Sequence, residues 1–381
     1  MELRGYRFDE ISVNYDKKRI PLSGTQREKR KGEYRYYGAQ GVIDYIDDYI
    51  FDGTFLLIAE DGENLKSKKQ NIAQVVNGQF WVNNHAHIVT GNDLCDTHYL
   101  CYLINSMNLS GYVTGSAQPK LSQANLNAVT LLLPRMEIQK KIVDYLRKID
   151  EKIELNTQIN KNLEQQAEAI FQSILSNAIT TVNLGEIADV KGGKRLPKGV
   201  NLTDIPNAHP YIRVRDLNNA LFASLTPNYA YVDKETQKSI SRYIVSTGDV
   251  LISIVGTIGL TAIVDSTLDK ANLTENCVKV TNLKHITPEY LLLYLRSQLG
   301  REAIAKGTVG AVQQKLPIKN IQAIPIPLLS EKDKNALFCT LDSIFAGISN
   351  NVIQSAKLAS LRDTLLPRLM SGELDVSDID L

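Results

Sequence analysis

Two stretches of this chain, 195 residues apart, carry the same heptad stripe. In the first, Ile142, Ile149, Asn156, Leu163 and Ile170 recur every seven residues, with Leu146, Ile153, Asn160, Ala167 and Ile174 four positions later. Adding 195 gives Leu337, Ile344, Asn351, Leu358 and Leu365, followed by Leu341, Ile348, Ser355, Arg362 and Leu369. A stripe sustained for about five heptads is the pattern of a helix packed lengthwise on another. No Pro or Gly interrupts residues 137–175, and only Gly347 lies between residues 332 and 366. Each run is predicted as a helix of about 36–39 residues, roughly 55 Å long, beyond the globular average. The bland alternative is that each stripe is only the core face of a globular domain. Asn156 and Asn351 favour the coiled coil, because an Asn at an a position costs stability but fixes register and two facing amides can satisfy each other. The helices are therefore expected to pair within the chain, in a direction the stripe leaves open.

The repeat is wider than the helices. Gly115, Gln118, Lys120, Leu121, Asn125 and Ala128 match Gly310, Gln313, Lys315, Leu316, Asn320 and Ala323 at the same offset. An apolar, strand-like run follows each, at 129–133 and 324–329, and then the helix. Upstream, Phe8, Asp9, Glu10 and Ile11 resemble Leu184, Gly185, Glu186 and Ile187. The apolar runs 55–59 and 250–255 precede Glu60, Asp61, Gly62 and Gly256, Thr257, Ile258, Gly259 respectively. Thr97, His98, Tyr99 and Leu100 resemble Pro288, Glu289, Tyr290 and Leu291. Two copies cannot build a solenoid, so this is a duplicated globular-unit-plus-helix module. The expected organisation is a globular segment 1–134, a helix 135–178, a second globular segment 179–329, a helix 330–374 and an acidic tail 375–381.

Composition limits the function classes. Over 381 residues the formal net charge is +1, which disfavours a protein that coats nucleic acid along bulk phosphate. The charge is uneven, however: residues 1–40 carry ten Lys/Arg against six Asp/Glu, while Glu373, Asp375, Asp378 and Asp380 stand in a tail without bases. A local basic face is compatible with the total. No unbroken run of 18 apolar residues occurs, so no membrane span is expected, and the opening residues lack the apolar region of a secretory leader. Cys95, Cys101, Cys277 and Cys339 form no CxxC pair and read as reduced cytosolic thiols.

These residues carry a family resemblance. Pro134, Glu137, Gln139, Lys140, Ile142, Leu146, Asp150, Ile153, Asn160, Leu163, Ile170 and Phe171 resemble the central spacer helix of type I restriction–modification specificity subunits. Residues 361–374, with Arg362, Asp363, Leu366, Pro367, Arg368, Gly372 and Glu373, resemble that family's ending; Gly32, Tyr34, Tyr36, Tyr37, Gly38 and Gly41 resemble a motif early in its recognition domains. The loop at Gly256, Thr257 and Gly259 and the two Gly-x-x-Gln-x-Lys-Leu segments fit the same pattern. The resemblance implies a mixed α+β fold: two globular α/β target-recognition domains separated by two long helices that form an antiparallel intramolecular coiled coil. It implies a DNA-reading subunit for a split, double-stranded target, working with two methyltransferase (modification) subunits and with restriction subunits, in the cytoplasm. The expected coiled-coil core is Ile142, Leu146, Ile149, Ile153, Asn156, Leu163, Leu337, Leu341, Ile344, Ile348, Asn351 and Leu358. A duplicated reader on a rigid spacer agrees with this on physical grounds, since half-site spacing on DNA must match the separation of the readers.

Candidate DNA contacts follow from charge and aromatic interleaving. Lys17, Lys18 and Arg19, then Arg27, Lys29, Arg30 and Lys31, precede a Gly/Tyr-rich segment holding Tyr36; they suit phosphate anchoring beside base contacts, or equally a solvated charged loop. Lys191, Lys194 and Arg195, with Lys198, flank a Gly-rich turn whose backbone amides can approach phosphate, though it is no P-loop. Arg213 and Arg215 read as alternate residues on one strand face, either guanine contacts or one half of a structural pair with Asp216. Gln118, Lys120, Gln313 and Lys315 repeat, so they do a shared job, in phosphate positioning or domain structure. Gly256 and Thr257 complete the candidates. His85, His87, Cys95, His98 and Cys101 cluster in sequence, but their spacing fits no closed four-ligand zinc pattern, so neither metal nor cofactor is expected. The chain has no Gly-rich cofactor loop, no Pro-Pro dipeptide for a base-flipping methyltransferase and no ATPase P-loop, so it is not expected to be an enzyme. Scattered carboxylates such as Asp47, Asp48, Asp52, Glu60 and Asp61 read as ordinary surface acids. The alternatives are a coiled-coil scaffold or silent copy that reads no DNA, and a fusion enzyme.

Overall fold

The computed structural model describes residues 2–68, 70–115, 118–218, 220–226, 229–311 and 313–376; the end of the acidic tail, with Asp378 and Asp380, lies outside them. The chain divides into two compact units, Met1–Leu155 with Gln354–Leu381, and Asn156–Ile353. Each contains part of a central helix (Met136–Leu175) and part of a C-terminal helix (Glu331–Met370).

Unit 1 opens with β1 (Arg4–Arg7), a single helical turn α1 (Phe8–Ile11) and β2 (Ser12–Asn14). Then come β3 (Lys31–Gly38), β4 (Gly41–Ile46), β5 (Phe51–Ala59), β6 (Ala73–Val82) and β7 (Ala86–Gly91). These build a six-stranded sheet in the order β2-β7-β5-β6-β3-β4. Helix α2 (Thr97–Ser106) is started by Asp96, whose carboxylate accepts from the His98 and Tyr99 amides. β8 (Thr130–Leu133) returns antiparallel to β1. Phe8, Ile11, Leu56, Ile58, Tyr99, Leu100, Leu126 and Leu131 form the main core, into which Ile142, Leu146, Leu369 and Met370 of the two long helices are buried.

Unit 2 repeats this plan with shorter strands. β9 (Thr180–Asn183), the turn α3 (Leu184–Ile187) and β10 (Asp189–Gly192) match β1, α1 and β2, down to a glutamate at the third helical position, Glu10 or Glu186, bonding back to the cap amide. β11 (Pro210–Ile212), β12 (Phe222–Ala223), β13 (Ala230–Tyr231), β14 (Val250–Ser253), β15 (Thr261–Val264), β16 (Asn272–Leu273) and β17 (Cys277–Thr281) follow. They form a five-stranded sheet, β10-β17-β14-β15-β12, and a three-stranded one, β13-β11-β16. Helix α4 (Pro288–Arg296), with proline in its first turn, stands where α2 stands in unit 1, and β18 (Pro325–Leu328) pairs with β9 as β8 does with β1. In each unit the entry amide bonds the same carbonyl, Phe8 to Val129 and Leu184 to Ile324, both at 2.9 Å.

Within each unit the long helices run antiparallel. In unit 1 Asp150 faces Arg362 at 2.7 Å. In unit 2 Asn156 Nδ2 donates to the Asn351 carbonyl, Asn351 Nδ2 donates to Asn160 Oδ1 at 2.8 Å, and Leu163 lies beside Gly347. Numbering thus rises along one helix as it falls along the other. Ile142, Leu146, Ile149, Asn156, Leu337, Leu341 and Ile348 are buried, and Ile153, Leu163, Ile344, Asn351 and Leu358 are partly covered. The C-terminal helix contains an 18-residue window of mean hydropathy 1.3, long and apolar enough by length and composition to cross a bilayer, although no unbroken apolar run is present. Its Leu337, Leu341, Phe345 and Ile348 are spent on the unit 2 core.

Candidate nucleic-acid interface

The repeated Gly-x-x-Gln-x-Lys-Leu segment is a closed loop at the same place in both units. In unit 1 Thr114 and Lys120 exchange both backbone hydrogen bonds (2.9 and 2.8 Å); in unit 2 Val309 and Lys315 do the same (both 2.9 Å). Glycine is obligatory at the turn. Gly115 and Gly310 have φ of +86° and +107°, and a Cβ would sit 2.3 Å from the Gln118 carbonyl oxygen or 2.4 Å from that of Gln313. Leu121 and Leu316 are fully buried, and their amides bond Glu60 O (2.8 Å) and Ile254 O (3.0 Å). Asn125 and Asn320 reach back from the following helical turn to the carbonyls of Tyr112 (2.9 Å) and Gly307 (2.7 Å). Glycine, leucine and asparagine therefore have structural tasks, while Gln118, Lys120, Gln313 and Lys315 stay exposed.

Each loop lies against a second turn. Lys120 bridges to Asp61, and Lys315 to Val255. Residues 60–62 are thus the spatial counterpart of 254–256, with Gly62 and Gly256 both at positive φ (+120° and +80°). The Gly-Thr-x-Gly identity is missing in unit 1, yet the turn is there. Gly256 and Thr257 are exposed, and Ser253 holds the turn by donating to Thr257 O and accepting from the Leu260 amide.

The basic segment of unit 1 is largely ion-paired across the β3–β4 hairpin. Arg27 and Lys31 both reach Asp44 (3.0 and 2.7 Å), and Arg30 pairs with Asp47 (2.8 Å) and Asp48 while lying over the Trp81 ring. The Lys31 hydrogen bond, with the Tyr45 amide and Arg27, pulls the Asp44 carboxyl down to about 2. Lys29 is exposed. Tyr36 corrects the sequence expectation: it is fully buried with Ile46 and Trp81, and its hydroxyl accepts from the Leu22 amide, so it presents no surface to DNA.

In unit 2 Lys191, Lys194 and Arg195 are all exposed. Lys191 pairs with Asp189 (3.0 Å) and holds its carboxyl below the usual range; Arg195 pairs with Glu275 (2.8 Å) and Lys194 lies over the Tyr243 ring. Gly193 is required here because a Cβ would fall 2.0 Å from Thr274 O. Arg213 and Arg215 are a second correction. The strand stops at Ile212, and Arg213 caps the helical turn Val214–Leu217, gripping Asp216 at 2.8 and 3.0 Å. A cap and the residue two beyond it do not share a strand face; Arg215 is exposed and Arg213 is bound to Asp216.

A charged chain links the unit 1 loop to the interior. Lys120 and Arg19 both hold Glu60 (3.2 and 2.9 Å), Arg19 also meets Asp16, and Asp16 meets the buried His87 at 2.6 Å. Burial alone would raise the Asp16 carboxyl, but His87, the Ile88 amide and Arg19 outweigh it and bring it below its ordinary value. His85 pairs with Asp61, and His87 Nε2 with the Leu121 carbonyl. Cys95 and Cys101 are thiols that burial pushes up to about 12. Among the described residues no group of three or more His, Cys, Asp or Glu side chains is placed to hold a metal ion. Sequence reasoning passed over Thr54, Asn77 and Gln79, which stand with Asp52 on an exposed stretch of β5 and β6, and the half-buried Arg35 of β3, which bonds the Asn77 carbonyl.

The model of the type I restriction modification DNA specificity domain matches the chain twice, over residues 7–165 and 178–357. A Haemophilus influenzae protein described as a type I restriction enzyme specificity subunit is 27% identical over 374 residues, covering 92% of this chain and 89% of its own. The HindI specificity subunit of the same organism is 22% identical, covering 67% and 71%. The crystal structure of the type I restriction–modification S subunit from M. genitalium superposes with a TM-score of 0.63 at 14% identity, covering 99% of this chain and 97% of that one. At that identity it shows a shared fold.

Proposed function

Since the chain belongs to the type I restriction modification DNA specificity family, we propose that residues 1–134 and 179–329 each read one half of a split double-stranded DNA target, and that the two long helices set the gap between the halves. The observation that carries this reading is the duplicated loop pair, 60–62 with 114–120 and 254–256 with 309–315, closed by equivalent backbone bonds among the described residues on two sheets that otherwise differ. Two alike frames carrying unlike surfaces suit a reader of two unlike half-sites. Lys29, Gln118, Lys120, Lys191, Lys194, Arg195, Arg215, Gly256, Thr257, Gln313 and Lys315 are exposed and are the proposed contacts, chiefly to phosphate. Arg27, Arg30 and Lys31 join them only by sharing their carboxylate partners.

In this reading the chain performs no catalysis and takes no cofactor. It acts in the cytoplasm by placing two methyltransferase subunits, and with them the restriction subunits, on the target. The test is long-read methylation mapping of cells that hold the methyltransferase partner, with and without this chain. A split motif of fixed gap that appears only with the chain is the expected result; identical methylation in both would leave a scaffold or silent copy and refute the reading.

A further inference from the structure

Residues 52–55 of β5 and 76–79 of β6 pair with each other and with no third strand: β7 joins β5 only from Leu56 onward, and β3 joins β6 only from Phe80 onward. This stretch is a two-stranded ribbon open on both edges, and Asp52, Gly53, Thr54, Asn77, Gly78 and Gln79 are all exposed. Resting on the DNA-reading function above, we propose that this ribbon, with Arg35 beside it, is the surface through which unit 1 reads base edges in the major groove.

The shape fits, because the major groove admits a two-stranded β-ribbon. The side chains fit as well. The register sets Asp52 opposite Gln79 and Thr54 opposite Asn77, so four short polar groups share one face. Gln79 Nε2 donates to Asp52 (3.1 Å) and Thr54 donates to Asn77 Oδ1 (2.7 Å), which orients both amides while each keeps donor and acceptor capacity. Asn and Gln pair bidentately with adenine, Arg with guanine, and Asp accepts from cytosine. Arg35 is held at the ribbon by its bond to the Asn77 carbonyl.

The other face carries Gly53 opposite Gly78, at φ +130° and +81°. Positive φ calls for glycine at both positions, and neither is crowded: a Cβ at Gly53 would come no nearer than 3.5 Å to Phe55, and one at Gly78 no nearer than 4.0 Å to Arg35. Facing glycines inside a strand pair leave the backbone bare for close approach by another molecule. Among the described residues unit 2 has no such ribbon at the matching strand, since β14 is paired with β17 throughout and with β15 over Val250–Ile252. Base choice has to reside where the two copies differ, and this ribbon is an exposed polar feature that they do not share.

The experiment uses the full chain in its complex with the methyltransferase. Motifs are mapped for wild type, Arg35→Ala, Asn77→Asp and the double variant Asn77→Ala/Gln79→Ala, with competition binding against single-base variants of the site. The expected result is a relaxed or altered half-site with the other half and the gap unchanged, and discrimination reduced roughly 5- to 150-fold at the affected bases. An unchanged motif overturns the proposal, as does a uniform loss of affinity at every sequence. If the double variant fails to fold, Asn77→Asp decides, because it keeps the shape and the Thr54 donor: a shift of preference toward cytosine supports the ribbon and an intact motif sinks it. Absence of any split motif with the wild-type chain would remove the DNA-reading function itself, and this proposal with it; an intact wild-type motif with unaltered variants removes the ribbon alone.

Discussion

Replacing Gly310 by alanine asks whether the repeated loop is a closure device. The new Cβ would lie 2.4 Å from the Gln313 carbonyl oxygen, at a φ of +107°. Left-handed backbone costs an L-residue about 1–2 kcal/mol, and the contact adds to it. The molecule need not bear all of that. The loop is closed by the two Val309–Lys315 backbone bonds, each worth about 1 kcal/mol net, so opening it caps the cost near ~2 kcal/mol. Gly115→Ala should behave alike, its Cβ meeting the Gln118 oxygen at 2.3 Å. For a unit of this size the loss corresponds to roughly 4–8 °C in Tm. Urea titration should show a lower midpoint with an unchanged slope, and hydrogen exchange at the Lys315 amide should accelerate. Gly24→Ala is the control: no atom lies within 4 Å of its Cβ, and within the turn Gly24–Glu28 alanine should be neutral or slightly stabilising. If all three variants melt within about 0.5 kcal/mol of wild type, the closure argument is wrong and the repetition needs another cause.

Three further outcomes follow from the geometry. Asp16 has a folded-state pKa below its ordinary 3.8, so its stabilisation is full above that value and lost as pH falls through the lower folded one; Asp16→Asn should flatten the acid limb of the stability–pH curve, and an unaltered limb would refute the linkage. Reversing Lys194 and Arg195 to Glu should weaken DNA binding at all sequences and reduce the log–log salt slope by about 1 per lost phosphate contact, doubly so because Glu275 then faces a like charge; unchanged affinity across a salt series removes this loop from the interface. Ile149→Asp should destabilise more than Ile344→Asp, because Ile149 is buried while Ile344 is half-buried beside the buried Phe345; denaturation midpoints in the reverse order would contradict the helix packing.

The long-range plan was legible because it is written in period and repetition. Heptad runs broken only by Gly347 pointed to both helices, expected over 135–178 and 330–374 and found slightly shorter, at Met136–Leu175 and Glu331–Met370. The second continues through Pro367, close enough to its end that few internal bonds are lost. Direction was not legible, since a stripe has no polarity. Side-chain fate was legible only where spacing decides it. Arg213 and Arg215 looked like strand alternation, but Asp216 three residues past Arg213 offers a capping partner that ends the strand. Tyr36 looked like part of an aromatic surface, yet the pleat sends it inward to Trp81. Asp44, Asp47 and Asp48 lie 17 or 18 residues from the arginines they neutralise, a distance that only the hairpin closes. Asn77 and Gly78 carry no signal in the repeat or the heptads, and their place inside the ten-residue strand β6, opposite Thr54 and Gly53, comes only from the strand pairing.

The same repeat also argues which helix segments belong together. In unit 1 the helices meet at Asp150 and Arg362, 2.7 Å apart, with the Tyr102 hydroxyl donating to the same carboxylate. Moving 195 residues along one helix and back along the other leads to Phe345 and Ala167, both buried in the unit 2 core. The unit 1 pair thus joins two charges, while both of its equivalents in unit 2 are buried in apolar core. Were two central helices to pair, Asp150 would face Ala167; were two C-terminal helices to pair, Arg362 would face Phe345. Either strands a charge against an apolar wall, whereas the observed partnership satisfies both ends. Polar groups at a helix seam set partner choice in this way. Asp150 and Arg362 keep about a third of their side-chain surface exposed (35% and 29%), so solvent screening limits the pair to about 1 kcal/mol. A double-mutant cycle with Asp150→Ala and Arg362→Ala, read by urea denaturation, should return a coupling energy of that size. Additive single effects would show that the two charges ignore each other and would refute their role in partner choice.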